Sequence, residues 1–535
     1  MNAHFTRREF LATATLAGCG LAVPGCSTPR SAAQKAAPAA LTHANGPGVV
    51  RVRQGLLKGV VQDGVLVFRG VPFAAPPVGA LRFRPPQPAA QWEGLRDAVS
   101  NGPAAIQPDT TFTQSTDEYL GAKRSEDCLY LHIWAPVGAG PHPIFVWVHG
   151  GANEFGSATE PLFDGANFAR RGVVCVSVAY RVGILGFLEL GEVLGPGYRG
   201  SSANAQKDIV AALGWVRDNI RAVGGDPARV TVGGESAGGR NITSLLAAPS
   251  ARGLFQSAII ESGGQAIHTL KAAQANARIV AESIAAKGGK PQDILTLPPD
   301  AIVALQTELG KRFNRPSYNR AVVDSDFLPE APLAAIANGS AKHIRLLIGT
   351  NRDEMAIFTN AKAAGRPLAQ SEMTHMELAD AEPIYQKYAA AYPNLSPLAL
   401  RVRFLSAEEY WLTCMRVAQA HQRTAAKSTW VYRFDRESAS GPMAGWVAHG
   451  AELPFIWNYL DEPIYGRIFG LKNAIDQKIA DEMHGRWVKF ISGDAPDVPG
   501  APIWPSFDDQ EQILIFDENT QRGTLDKAEL ALWPK

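Results

Sequence analysis

Short, almost wholly apolar runs recur along the middle and late chain, with helically spaced segments between them. Leu129 to Trp134, Ile144 to Val148, Val173 to Tyr180, Val230 to Val232, Ser257 to Glu261, Ile344 to Gly349, Thr429 to Phe434 and Gln512 to Phe516 read as strands. Asn204 to Ile220 places Ile209, Ala212, Leu213 and Val216 on one face of a helix, and Asp476 to Ile491 reads as another helix. Strands apolar on both faces, alternating with helices, predict an α/β fold with a central, mostly parallel sheet covered by helices on both faces. Upstream, Val49 to Val52, Leu56 to Val61 and Val65 to Val71 are β-rich runs broken by Gly and Asp. They predict a small N-terminal antiparallel sheet. The Pro-rich stretch Gly70 to Phe83 cannot be strand interior. From Asn360 to Ala426 the pattern is mostly helical and predicts a cap region beside the site.

The first residues have a different logic. Arg7-Arg8, then Phe10-Leu11 and a weakly apolar stretch to Val23, resemble a twin-arginine export signal over residues 1–27. Leu16 to Cys19 looks like a lipoprotein processing box, and Val23 to Cys26 is a poorer match. Lipidation of Cys19 or Cys26 would tether the protein to a membrane, so the expected location is exported: periplasmic, anchored on the periplasmic side, or secreted. Residues 28–47, rich in Ala, Pro and small polar residues, read as a disordered tether. The remainder, 48–535, is long enough for one large α/β domain or several smaller ones.

Composition narrows the function. A net charge of +1 over 535 residues offers no general attraction to nucleic acid. Five cysteines are too few for a disulfide scaffold, and no clustered Cys/His spacing suggests a metal.

The sharpest chemical signal is Gly234-Glu235-Ser236-Ala237-Gly238, where the strand ending at Val232 turns into a helix. This is the GxSxG pattern of a nucleophile on a tight strand-to-helix turn. The turn exposes the Ser236 hydroxyl, and its neighbours must be nearly without side chains. It also sets the following N–H groups at a helix N-terminus, where negative charge is favoured.

Further motifs fall in a recognisable order: the Pro72 to Phe83 turn, Ser125-Glu126-Asp127-Cys128, His149-Gly150-Gly151, Gly224-Gly225-Asp226-Pro227, the serine turn, Gly349-Thr350-Asn351-Arg352-Asp353-Glu354, and Ala448-His449-Gly450-Ala451-Glu452. Together they resemble the type-B carboxylesterases, the family that also holds the cholinesterases, from about Val49 to the end of the chain. The resemblance implies one α/β-hydrolase domain over 48–535.

Acyl transfer from an ester needs a base, a group to orient it, and donors for the oxyanion. In this fold the order is serine, acid, histidine. His449 lies in a Gly- and Pro-rich loop and matches the family's His-Gly-x-Glu motif, whereas His484 falls in a helix. The acid should follow a buried strand. Asp353 and Glu354 stand just after Ile344 to Gly349, with Asp324 and Asp326 as the alternative. The residues alone do not choose between Asp353 and Glu354; the resemblance favours Glu354. It also implies Gly151, Ala152 and Ala237 as oxyanion donors, and an Arg82–Glu126 ion pair that pins the N-terminal loop. Ala152 and Asn153 stand where many members carry a third glycine and an aromatic, so Asn153 is expected to make the wall of the site more polar. Glu235 either faces the site and acts on its electrostatics or supports the local structure. Cys128 matches a cysteine usually disulfide-bonded in the family, but alanines occupy the partner's region, so a free buried thiol is expected.

The expected activity is serine carboxylesterase through an acyl-enzyme, with a small-molecule ester as substrate and no cofactor or metal in the scheme. The alternatives are a hydrolase for an amide, a carbamate or a bulky natural ester with the same triad, and, from another class, an inactive cholinesterase-like binding module. A cholinesterase proper is disfavoured, because Pro103 to Ser125 offers Phe112 and Tyr119 but no tryptophan for a quaternary ammonium. Trp215 and Phe358 are candidates to line an acyl or alcohol pocket, core positions being the other reading of both.

Overall fold

In the computed structural model, the described residues are 48–534 apart from 110–116, 139, 314–317, 324, 426 and 472. The expected export signal with Cys19 and Cys26, the tether, Phe112 and Asp324 lie outside them.

Among the described residues, the strands of three or more residues are β1 (Val49–Val52), β2 (Gly55–Lys58), β3 (Val60–Gln62), β4 (Val65–Pro72), β5 (Leu95–Asp97), β6 (Tyr130–Pro136), β7 (His142–Val148), β8 (Val174–Val178), β9 (Gly225–Glu235), β10 (Ser257–Glu261), β11 (Arg345–Asn351), β12 (Thr429–Phe434), β13 (Gln512–Phe516) and β14 (Gln521–Thr524). Eleven of them form one sheet in the order β14-β13-β12-β11-β10-β9-β7-β8-β6-β4-β3. From β8 to β13 every pairing is parallel, and both flanks are antiparallel.

The apolar runs behave as expected of strands buried on both faces. In β7, Ile144, Val146 and Val148 enter one core cluster while Phe145 and Trp147 enter the other. In β10 and β11, Ala258, Ile260, Leu346 and Ile348 go to the first core, and Ile259 and Leu347 to the second. This is the two-residue period of a strand read out as two hydrophobic layers. Helix α1 (Asn204–Asn219) covers the first layer with Ile209, Leu213 and Val216. The helix after the serine turn is α2 (Ala237–Ala247), and the cap region contains α3 (Leu378–Ala391), α4 (Pro397–Ser406) and α5 (Leu412–Thr424). Helix α6 (Ala474–Ile491) brings Met483, Trp487 and Phe490 to the second layer.

The N-terminal runs divide differently from the expectation of one small sheet. Leu56 to Val61 is two strands. β2 pairs antiparallel with β1 and parallel with β5, whereas β3 and β4 form an edge of the large sheet. The break falls at Gly59, where a Cβ would lie 2.4 Å from the Val67 carbonyl oxygen and 2.8 Å from the Phe68 ring. The chain passes too close to β4 there for any larger residue.

Two buried ion pairs brace the loops. Arg82 lies against Glu126, with Nε 2.7 Å from Oε2, as the resemblance implied. Arg181 donates from Nε and Nη2 to Asp208 at 2.8 and 2.7 Å, and from Nη1 to the Arg84 carbonyl at 2.8 Å. Cys128, Cys175 and Cys414 are buried free thiols. Because Arg181 is nearly sealed from water, Asp208→Asn leaves a buried charge unpaired. We expect it to lower unfolding free energy by about 3–5 kcal/mol, read as a lower urea midpoint.

Candidate active site

The parallel register ends several strands at one edge. Gly234 lies opposite Val148, Glu235 opposite Glu261, and Glu261 opposite Gly349. The segments that follow, His149 to Asn153, Ser236, Ser262 and Arg352 to Glu354, therefore leave the sheet together. Open α/β sheets place their sites at this carboxyl edge.

Ser236 sits between β9 and α2 with φ 55° and ψ −122°, a left-handed conformation costly for a residue with a Cβ. The glycines explain how the turn closes. A Cβ at Gly238 would lie 2.1 Å from the Val148 carbonyl oxygen, and one at Gly234 would lie 2.6 Å from the same atom. The Ser236 N–H is held by the Glu261 carbonyl at 2.8 Å. Ala237, fully buried, is the first residue of α2, so its N–H has no partner within the helix.

His449 reaches the site from a loop whose backbone is tied to the acid turn. Its N–H donates to the Glu354 carbonyl at 3.1 Å, and the Asp353 N–H donates to the Val447 carbonyl at 2.9 Å. Its Nδ1 donates to Glu354 Oε2 at 2.6 Å. Glu354 is fully buried, and its other oxygen accepts from Ser262 Oγ at 2.5 Å and from the Asn351 N–H at 2.7 Å. Three donors thus fix one carboxylate. Asp353 instead pairs with Arg352 and accepts from the Val447 N–H. Of the two adjacent acids, only Glu354 meets the imidazole.

Glu235 Oε1 comes within 2.9 Å of His449 Nε2, a close contact without hydrogen-bond alignment. A carboxylate therefore stands at each ring nitrogen. Burial disfavours the imidazolium, but Glu235 and Glu354 outweigh it and raise His449 well above the ordinary histidine range. The network continues behind Glu354. Glu452 bonds Asn351 Nδ2, and burial followed by repulsion from Glu354 and Glu235 pushes its carboxyl up to about 8.

These groups open into a cavity of about 450 Å³. Ser236, His449, Glu235, Gly151, Ala152 and Phe358 all lie on its wall. The loop carrying Gly151 and Ala152 holds φ of 97° and 54° at these residues, a reversal on the wall of the cavity that Ser236 also lines. His149 anchors the loop by stacking on Tyr180 at 4.4 Å. Burial keeps its imidazole neutral down to about pH 4. Phe358 is half-exposed, with its ring 5.6 Å from His449.

Two candidate wall residues are elsewhere. Asn153 turns away from the cavity: its amide donates to the Asn319 carbonyl at 2.8 Å, and its oxygen accepts from Asn241 at 2.9 Å. It adds no polarity to the wall. Trp215 is core, packed in the first layer on α1. Several wall residues carried no sequence signal, among them Phe155, Phe163, Tyr410 and Tyr465. Ser262 did carry one, since a polar residue directly after a parallel strand must emerge at the same edge as Ser236. His484, bonded to the Ile456 carbonyl at 2.8 Å, is a structural histidine.

The chain belongs to the carboxylesterase family, whose model matches residues 46–533. It is 34% identical to the para-nitrobenzyl esterase of Bacillus subtilis (strain 168) over 494 residues, 88% of this chain and 94% of that protein. It is also 34% identical to the fumonisin B1 esterase of Sphingopyxis macrogoltabida, covering 89% and 88%. A solved PNB esterase structure superposes with a TM-score of 0.79 at 30% identity, over 91% of this chain and 99% of that one. The protein is thus a carboxylic ester hydrolase with the α/β-hydrolase fold.

One charge prediction follows from the two carboxylates around the imidazole. Nitrogen NMR of His449 should show a protonation midpoint above the ordinary histidine range, and Glu235→Gln should lower it, because an anion favouring the protonated ring is lost. An unchanged midpoint in the variant would mean that Glu235 has no hold on the base.

Proposed function

We propose that the protein is a serine carboxylesterase working through an acyl-enzyme. Ser236 attacks the ester carbonyl while His449 takes its proton and Glu354 holds the imidazole in the reactive tautomer. The N–H groups of Gly151, Ala152 and Ala237 receive the oxyanion. His449 then protonates the departing alcohol, and a water activated by the same base releases the acid. The observation that carries this reading is the Glu354–His449 pair meeting a strained serine turn in one cavity. In the resting arrangement Glu235 stands at Nε2, so activity requires the uncharged imidazole and falls as pH drops through its raised titration.

The cavity also supports a substrate class. Its wall combines Phe155, Phe163, Met355, Phe358 and Tyr465 with four glutamates, and no lysine or arginine stands among the described lining residues. A substrate carboxylate would be desolvated there without a cation to meet it. We read the substrate as a neutral ester with a compact apolar or aromatic arm. Carbamates and amides are the second class for the same machinery, and one relative, at 31% identity, is named phenmedipham hydrolase. We also propose that residues 1–27 direct export and that a lipid on Cys19 or Cys26 would anchor the domain outside the cytoplasm.

The test is hydrolysis of nitrophenyl esters. Ser236→Ala should lose at least about 10³-fold in kcat on nitrophenyl acetate, with Glu354→Gln also strongly impaired. Nitrophenyl butyrate should be cleaved far faster than the hemisuccinate of the same alcohol. Wild-type rates from Ser236→Ala would refute the mechanism, and a preference for the hemisuccinate would refute the substrate class.

A further inference from the structure

Helices α4 and α5 are one continuous helix interrupted by a single π-helical turn, Ala407–Trp411, in which the Leu412 N–H reaches back to the Ala407 carbonyl. A π-turn costs regular hydrogen bonding and recurs where a side chain must be aimed. Four of its residues, Ala407, Glu408, Glu409 and Tyr410, are buried. Its loosened backbone is held from outside: Glu408 accepts from the Thr374 N–H at 3.1 Å, and the Glu409 carbonyl lies 3.2 Å from His375 Nε2.

The turn touches each of the three elements that carry the proposed triad. Glu409 forms a buried ion pair with Arg240, on the first turn of α2 directly behind Ser236. Ser406, the last residue before the turn, accepts the Met355 N–H at 2.9 Å, one residue past Glu354. Tyr410 lays its ring on the His449 imidazole, with centroids 4.4 Å apart and planes tilted by 30°. The Arg240 guanidinium carbon lies 5.2 Å from the centroid of the same Tyr410 ring, which ties the first contact to the third.

We propose that this π-turn is a strut of the cap that holds nucleophile helix, acid turn and base in mutual register, with Tyr410 and Ser406 as positioning residues. The inference rests on the triad reading above. Misplacing a reacting group by about 1 Å costs on the order of 100-fold in rate, so a strut that fixes the imidazole plane acts on turnover rather than on substrate affinity. Ser406 does not line the cavity, so its substitution leaves substrate contacts intact.

The test compares Ser406→Ala, Tyr410→Leu, Tyr410→Phe and the Ser406→Ala/Tyr410→Leu double variant in the full chain. Each is assayed on nitrophenyl acetate, and kcat is divided by the serine titrated with a fluorophosphonate. The strut predicts about a tenfold or larger loss of kcat per titrated serine for Ser406→Ala and for Tyr410→Leu, with KM for Ser406→Ala within about twofold of wild type. Tyr410→Phe, which keeps the ring, restores turnover. The double variant loses less than the product of the single losses, because both act through one imidazole. Unchanged kcat per titrated serine in Ser406→Ala and Tyr410→Leu overturns the proposal, as does a loss seen only in the titratable fraction. A wild-type enzyme whose ester hydrolysis survives Ser236→Ala would instead overturn the triad reading itself.

Discussion

Everything at this site depends on one close approach: the backbone of the serine turn against the end of β7. The Val148 carbonyl lies where a Cβ on Gly234 or Gly238 would have to go. At that contact Ser236 takes its positive-φ conformation and α2 begins with Ala237. The strain is affordable because the surrounding sheet over-determines it, with Ser236 itself pinned to the Glu261 carbonyl and each neighbouring strand buried on both faces.

The second constraint is electrostatic. Carboxylates at both nitrogens of a buried histidine stabilise its charged form, and Glu354 is kept as an acceptor by Ser262 and Asn351. In the proposed mechanism, a base whose protonated form is favoured before reaction is also one whose protonated form is favoured during it, when Ser236 has given up its proton. The same arrangement makes a resting imidazole harder to deprotonate. In the proposed mechanism the same two glutamates therefore act on both turnover and pH range.

Much of this was legible in the chain, for identifiable reasons. Strands buried on both faces announce themselves as unbroken apolar runs, which is why β7, β8, β10 and β11 were visible. The serine turn was visible because its glycines answer a steric demand that few other residues meet. The choice of Glu354 over Asp353 needed the family resemblance, since the two differ only in which side of a short turn they occupy. What stayed hidden was contact between distant segments. Nothing in the sequence says that Asn153 bonds Asn241 and Asn319, that Trp215 faces the sheet, or that Tyr410 covers His449. The division at Gly59 was equally hidden, because close approach to β4 is a tertiary fact.

The central claim is that Ser236, His449 and three backbone N–H groups surround one reacting carbon. A crystal structure of the protein after reaction with a small fluorophosphonate addresses it directly. The account predicts phosphorus bonded to Ser236 Oγ, its non-ester oxygen within hydrogen-bond distance of the Gly151, Ala152 and Ala237 N–H groups, and His449 Nε2 turned to the serine oxygen. Phosphorus on another residue, or a phosphonyl oxygen pointing away from those N–H groups, would contradict it.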